Sequence, residues 1–532
     1  MSDAATPRDT ATPGKGSRPN IVLIMADQLR ADHVGFGGNE IVRTANLDSI
    51  AARGTRFDRA YVANPICMPN RASILTSRVP SSHGTRYNGI AVDPDARTFV
   101  RSLREAGYRT MLVGKAHFQN IGHQPEMATS ARAGSPAADA VDRARDEGWD
   151  RWEDLAMHRQ GPVRMPADYY GFDRVEVAID HADYCGGHYE HWLRDQGFDP
   201  TVRGGDHAAE VSEQWNQVYR PAMPAELYPT AWVGSRSAEM IRSAAHDGEP
   251  FFLQCSFPDP HHPFAPPGEY YDMYSPDEVP LPATFDDPHE TSMPHVRSKL
   301  KNRGSQRGPM SPFSPTEKQY REAAAKEYGA ITFIDDAVGT VLAALDEAGV
   351  RDNTIVVVTS DHGDMFGDHG LMLKAGLHYE GCVRVPLVVA EPGRNAGVSD
   401  ALVSSLDIGP TLLDLAGVEG YAGVHGVSLA GVMADPDATV RDGVYIEEDQ
   451  MFELLPGCGP LQMRTLITDE GRITVYRGTS DGELFLFGDD PGELVNRWHD
   501  PAHVDAKSRL LAALVDAQMA HTDLSRRPTA MA

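Results

Sequence analysis

The hydrophobic pattern begins at Asn20, where Ile21-Val22-Leu23-Ile24-Met25 runs unbroken into Ala26 and the polar pair Asp27-Gln28. A short continuous apolar run of this kind predicts a strand buried on both faces. Thr354-Ile355-Val356-Val357-Val358-Thr359 repeats the pattern and ends at Ser360-Asp361-His362-Gly363, and Pro250-Phe251-Phe252-Leu253-Gln254-Cys255-Ser256 leads into Pro258-Asp259-Pro260-His261-His262. Polar clusters repeatedly follow strand ends. In open α/β sheets ligands bind at that carboxyl edge, so the recurrence predicts one shared site built from distant segments.

Helical periodicity alternates with these strands. Phe99 to Ala106 predicts one helix, and Pro315 to Ala348 predicts a long one whose stripe is Ile331, Ile334, Val338, Val341, Leu342 and Leu345. Ser314-Pro315-Thr316-Glu317 supplies its start, with serine as cap and proline at the first helical position. The alternation predicts an α/β fold, a large mostly parallel sheet covered by helices on both faces. Between Gln124 and Met240, and from Pro280 to Ser314, the pattern weakens into what reads as long active-site loops. After about Asp437 come short alternating runs, Gly443 to Ile446, Arg472 to Tyr476 and Glu483 to Phe487, then a helical segment from Ala506 to Met519. This predicts a smaller C-terminal α+β part with an antiparallel sheet. The expected division is a solvated tail over residues 1–18, a catalytic α/β domain over 19–436 and the α+β part over 437–532.

Charge narrows the function. Forty-nine Lys and Arg stand against 76 Asp and Glu, a net charge of -27 that repels polyphosphate and anionic membrane surfaces, so no nucleic acid is expected as partner. No stretch approaches the roughly 18 continuous apolar residues of a membrane span, and Met1 to Arg18 lacks the apolar core of a secretory signal. No membrane contact and a cytoplasmic location are the expectation. The five cysteines, Cys67, Cys185, Cys255, Cys382 and Cys458, are odd in number and widely spaced, indicating neither a disulfide framework nor a structural zinc site.

The most specific motif is Cys67-Met68-Pro69-Asn70-Arg71 followed by Ala72-Ser73-Ile74-Leu75. Proline near a helix start and the apolar residues behind it place Cys67 at a helix amino terminus, where amide groups and the helix dipole favour an anion; Arg71, one turn on, adds to that field. Read alone, the pattern is equally compatible with a buried structural cysteine and a surface arginine. In context it resembles the formylglycine-dependent sulfatases of the alkaline phosphatase superfamily, a group with arylsulfatases, choline-sulfatases and phosphonate monoester hydrolases. Landmarks fall in the family's order: Met25-Ala26-Asp27-Gln28, the cysteine motif, Gly114-Lys115-Ala116-His117, Pro260-His261-His262-Pro263-Phe264, Ser360-Asp361-His362-Gly363, Lys374 with Tyr379-Glu380, and Arg384-Val385-Pro386-Leu387. Asp489 to Asn496 resembles the family's C-terminal turn.

The resemblance implies an alkaline phosphatase-like fold and a formylglycine at position 67, made by a separate formylglycine-generating enzyme. It also implies one divalent metal held by Asp27, Gln28, Asp361 and His362, with the oxygen of residue 67 completing the shell. The family's commonest set has a third aspartate and an asparagine where Gln28 and His362 stand, so calcium, the family default, competes with manganese or zinc. One oxygen of the hydrated aldehyde would attack sulfur or phosphorus; the other hydroxyl would then lose its proton and expel the inorganic anion by carbon–oxygen cleavage. By resemblance His117 is the base for that collapse, His261, helped by Lys374, the acid for the leaving oxygen, and Arg71 and Lys115 stabilise residue 67 and the anionic oxygens. His262 competes with His261 by one register. His369, His378 and Glu380 lie nearby in sequence but outside this set, Glu380 as a partner for Arg384.

The expected activity is a sulfatase acting on the sulfate ester of a small organic molecule. Two alternatives stand beside it: a phosphonate monoester or phosphodiester hydrolase on the same site, and a non-catalytic metal- and anion-binding protein in which Cys67 stays a thiol. The acidic balance favours a small or cationic ester over a sulfated polysaccharide. The sequence leaves the oligomeric state open.

Overall fold

The structure, a computed structural model, describes residues 18–122, 147–305, 311–450, 453 and 459–522. Residues 1–17 of the solvated tail read over 1–18, and Cys458, lie outside the described residues. The main sheet has nine strands: β1 (Asn20–Ala26), β2 (Thr55–Phe57), β3 (Arg109–Gly114), β4 (Arg174–Ile179), β5 (Gly186–Gly187), β6 (Phe251–Ser256), β7 (Thr354–Ser360), β8 (Leu387–Ala390) and β9 (Gly397–Ser399). Their order is β9-β2-β8-β7-β1-β6-β3-β4-β5. The block β7-β1-β6-β3-β4 is parallel throughout, while β8 and β5 run antiparallel to their inner neighbours. Ala26 pairs with Ser360, Met25 and Gly114 with Ser256, and Gly114 with Val177, so the five parallel strands end almost level.

Six helices matter for the site and its support: α1 (Cys67–Thr76), α2 (Phe99–Glu105), α3 (Pro229–Asp247), α4 (Glu317–Glu347), α5 (Ile408–Leu415) and α6 (Val504–Thr522). Strand residues divide by parity, because successive side chains point to opposite faces. Val22, Ile24, Val356 and Val358 pack with Trp232 and Ile241 of α3 and with Ile331, Ile334, Val338 and Val341 of α4. Ile21, Leu23, Met25, Ile355 and Val357 pack with Ala72 and Leu75 of α1, Phe99 and Leu103 of α2 and Leu412 of α5. Both faces are therefore covered, which is why the strands read as unbroken apolar runs. One described helix, α4, is long and apolar enough to cross a membrane, yet 78% of its most apolar window is buried inside the protein, so it is a core helix.

The second sheet is antiparallel, β10 (Gly443–Asp449), β11 (Gln462–Thr468), β12 (Gly471–Tyr476) and β13 (Gly482–Leu486) in sequence order. Leu510 and Leu514 of α6 pack on Leu466, Ile473 and Leu484. Its other face, Val444, Ile446, Met463 and Phe485, packs on Leu371, Leu377 and Tyr379, the segment that carries Lys374.

Three local readings change. The start of α4 is capped by Thr316, whose side chain accepts from the Gln319 amide while Gln319 reaches back, two residues beyond the Ser314 box; Ser314 instead accepts from Arg303 Nε at 2.8 Å. The stretch from 124 to 240 is not one long loop. Residues 123–146 lie outside the described residues, and the rest contains β4, a helix at His188–Asp195 and the first half of α3. The Pro280–Ser314 stretch holds a helix at Pro294–Leu300, and His369 and Phe313 tie it to the Lys374 segment through Asp287 (2.7 Å) and Met372.

Candidate active site

Each of the five parallel strands delivers polar residues at its carboxyl end. β1 gives Asp27 and Gln28, β7 gives Asp361 and His362, β6 gives Asp259 through His262, β3 gives Lys115 and His117, and β4 gives Asp180 and His181. Cys67 is the first residue of α1, so its side chain meets these ends from a helix amino terminus. The turn out of β3 requires glycine: Gly114 has φ of 101°, and a Cβ there would lie 1.8 Å from the Ser256 carbonyl oxygen. The Lys115 amide donates to that same carbonyl at 2.9 Å.

Arg71, from the first turn of α1, is buried among these groups. Nε donates to Asp361 Oδ2 at 2.6 Å, Nη2 lies 3.4 Å from Asp27 Oδ2, and Nη1 donates to the Lys115 carbonyl and Ser256 Oγ at 2.8 and 2.9 Å. The Lys115 ammonium donates to Asp27 Oδ2 and lies 2.6 Å from His181 Nε2. Burial alone would push the Asp27 carboxyl up, but Lys115, Arg71, His181 and His362 hold it well below the usual carboxylate range. Asp27 therefore stays ionised, and the same contact raises Lys115 against its own burial.

The donor atoms of Asp27, Cys67, Asp361 and His362 all lie within 4.8 Å of one another. Cys67 Sγ is 3.0 Å from His362 Nε2. His362 Nδ1 donates to the Gly363 carbonyl at 2.9 Å, which fixes the tautomer and leaves the Nε2 lone pair facing the group. Burial pushes this imidazole down to about 4, so it is neutral, the form that ligates metals. Two carboxylate oxygens, one imidazole nitrogen and the residue-67 atom, all buried, form a donor set that fits a divalent cation. Gln28 joins differently: its amide N–H donates to Asp361 Oδ1 at 3.1 Å, while its side-chain oxygen accepts from Lys374 Nζ at 2.6 Å.

Residues 19–418 match the family described as Sulfatase, and residues 367–520 match N-sulphoglucosamine sulphohydrolase, C-terminal. The chain belongs to the sulfatase family. Relatives of this sulfatase include an arylsulfatase of Clostridium perfringens, 32% identical over 489 residues and covering 90% of each chain. A choline-sulfatase of Rhizobium meliloti is 28% identical over 518 residues, 95% of this chain and 87% of that one. The solved phosphonate monoester hydrolase from Silicibacter pomeroyi superposes with a TM-score of 0.76 over 95% of this chain and 96% of that one, at 24% identity, a likeness of fold. The sulfatase is thus an enzyme of the sulfuric ester hydrolase class with the alkaline phosphatase-like architecture.

Within the sulfatase, the residues proposed from sequence for catalysis and metal binding meet at this one edge. His261 Nδ1 donates to the His262 carbonyl at 2.5 Å, leaving Nε2 free, and its ring stacks on His181 at 3.7 Å. His261 also belongs to a second convergent group, with Asp27, Cys67 and His181, whereas His262 turns its Nδ1 to Gln28 Nε2 at 3.4 Å. Of the two imidazoles, His261 is the one with a ring nitrogen within 4.8 Å of the Cys67 sulfur in that group. His117 is buried, its Nδ1 has no hydrogen-bond partner among the described residues, and burial together with Lys115 and Arg71 holds it well below the usual histidine range.

The residues set aside are structural. His378 bonds Thr465 and Glu448 at 2.7 and 2.9 Å, and Glu380 pairs with Arg384 at 2.9 Å. The C-terminal turn locks onto the same segment, Glu493 accepting from the Glu380 amide at 3.0 Å. His181 was missed. Its signal was present in Val177-Ala178-Ile179 followed by Asp180-His181, the same strand-end ending as Asp361-His362, but the alternating Arg174 and Glu176 disguised the strand.

Proposed function

We propose that this sulfatase hydrolyses the sulfate ester of a small organic molecule, with formylglycine made from Cys67 by a formylglycine-generating enzyme and one divalent cation, calcium before manganese or zinc. The observation that carries this reading is the convergence of Asp27, Asp361 and His362 on the Cys67 side chain. When bound, the cation and the aldehyde hydrate supply an activated oxygen nucleophile and a second hydroxyl through which inorganic sulfate is released.

The chain's own groups do the rest. Arg71 and Lys115 match the two carboxylates they touch, and Lys374, bonded to the uncharged Gln28 side-chain oxygen, leaves positive field for sulfate oxygens. His261, the acid by resemblance, faces the leaving-group oxygen with Nε2, while its Nδ1 hydrogen is held by the His262 carbonyl. It therefore donates a proton there only as the imidazolium, a form that burial, His181 and Lys374 disfavour and that a bound sulfate anion restores, while Lys374 stabilises the charge on the leaving oxygen. His117 offers an unpartnered buried nitrogen, suited to take the proton from the second hydroxyl. The net charge of -27 supports a small or cationic ester over a polyanionic chain.

The test uses full-length protein produced with a formylglycine-generating enzyme, with peptide mass spectrometry at residue 67 and turnover of 4-nitrophenyl sulfate against phenylphosphonate mono-4-nitrophenyl ester. An aldehyde at residue 67, faster sulfate turnover and an inactive but folded Cys67→Ala variant are expected. A strong preference for the phosphonate overturns the substrate class, and an intact thiol with full metal binding makes the protein a binder.

A further inference from the structure

Glu153 belongs to none of the segments the strand pattern singles out, yet its carboxylate is 1% exposed and accepts four hydrogen bonds beside the site. Oε2 accepts from the His117 amide at 2.7 Å; Oε1 accepts from the Phe118 and Gln119 amides at 2.8 and 3.0 Å and from the Tyr169 hydroxyl at 2.5 Å. Three consecutive backbone N–H groups thus point at one carboxylate. The grip is mutual, because Gln119 returns its side chain to the Trp152 amide at 2.8 Å and to the Trp149 carbonyl at 3.0 Å.

The backbone being held is unusual at one place. His117 has φ of 53°, a conformation that costs a non-glycine residue and persists where its surroundings over-determine it. No helix or strand constrains residues 117–119. What constrains them is Glu153 on one side and the Val92 amide, which donates to the Phe118 carbonyl at 2.9 Å, on the other. A buried carboxylate with no cation beside it among the described residues is a costly anchor for a loop, and a hydroxyl or backbone carbonyl would cap fewer amides. The imidazole carried by this strained residue has a buried Nδ1 with no hydrogen-bond partner among the described residues.

We propose that Glu153 is the positioning residue for His117: its carboxylate clamps the 117–119 amides and so holds the imidazole at the height and angle from which it takes a proton. The proposal rests on His117 being the base for sulfate release. Burial raises the Glu153 carboxyl overall, and the Tyr169 hydroxyl and the three amides pull it back in part, so the hydrogen bonds of the loop are what favour its charged form.

The test is a double-mutant cycle on the full-length, matured enzyme with 4-nitrophenyl sulfate, read as kcat, KM and the initial burst of 4-nitrophenol. Glu153→Gln keeps the shape but loses the charge and one acceptor. It should lower kcat roughly 10- to 100-fold with KM within about threefold, and should leave the burst in place, because the defect lies in the release step. His117→Ala should lower kcat further, and adding Glu153→Gln to it should change kcat by less than about twofold, since the clamp has nothing left to position. Unchanged kcat in Glu153→Gln, or losses that multiply in the double variant, overturns the proposal. If His117→Ala alone turns over normally, the base assignment falls and takes the clamp with it, an outcome distinct from an inactive His117→Ala beside an active Glu153→Gln. Should Glu153→Gln not fold, Tyr169→Phe removes one hydrogen bond to the same carboxylate. It should give a smaller kcat loss at constant KM, and parental kcat there also overturns the proposal.

Discussion

Arg71 turns its nitrogens toward both carboxylates of the proposed metal set and toward the Lys115 carbonyl and Ser256 hydroxyl, with almost no contact with water. Removing it leaves Asp27 and Asp361 buried with less compensation, a change that typically costs about 3–5 kcal/mol. Arg71→Ala should therefore lose that much stability in urea denaturation as well as activity; a loss below about 1 kcal/mol would show that Lys115 alone neutralises the carboxylates. At this scale the sequence was informative because chemistry clusters at strand ends. Asp27, Asp361, His362 and His261 could be placed from the apolar run before each, and Cys67 from the helix behind it. The Gln28 side chain could not, because a contact with Lys374 hundreds of residues away depends on where two loops end. Glu153 was invisible for a related reason: a lone glutamate with no pattern around it carries no sign that three amides will converge on it.

Among elements, β3 shows how tightly the edge is drawn. Gly114→Ala puts a methyl against the Ser256 carbonyl, so the two strands must part or the turn must unwind. Soluble yield or Tm should fall sharply. Gly107→Ala, at φ of 91° with nothing within 4 Å, carries only the backbone penalty of about 1–2 kcal/mol and is the matched control. Equal effects in the two variants would sink the steric argument. Strands such as β1 and β7 were legible because both faces are buried and the apolar run is continuous. β4 was not, since it lies near the sheet edge and alternates charge with apolar residues. The cap of α4 shifted by two residues because Thr316 and Gln319 form a reciprocal pair that competes directly with Ser314 and Glu317.

Over the whole molecule, stability is tied to pH by histidines that are not part of the proposed catalytic or metal set. His83, His188 and His425 each use Nδ1 to accept a backbone amide, from Thr85, Val177 and Val79 at 3.1, 3.1 and 3.2 Å, so each is locked in its neutral form. Burial, with nearby cationic or histidine neighbours, lowers them to about 3, about 4 and about 4. The unfolded chain takes up these protons near pH 6.5 and the folded one does not. Their contribution is thus complete above about pH 6.5 and is lost as the pH falls from there toward 4. Tm should drop over that window, and replacing the three with Gln should flatten the drop; an unaltered slope would assign acid sensitivity elsewhere.

The burial of Cys67, 2% exposed, also bears on the order of events in the life of the chain. The walls around its sulfur come from residues 27, 71, 181, 261, 361 and 362, most of them synthesised after it. On the proposed reading, another enzyme must grasp this side chain and rebuild it, which a finished fold forbids. The interval for that encounter closes when β7 docks beside β1, so a nascent chain that folds too quickly would be sealed with its thiol intact.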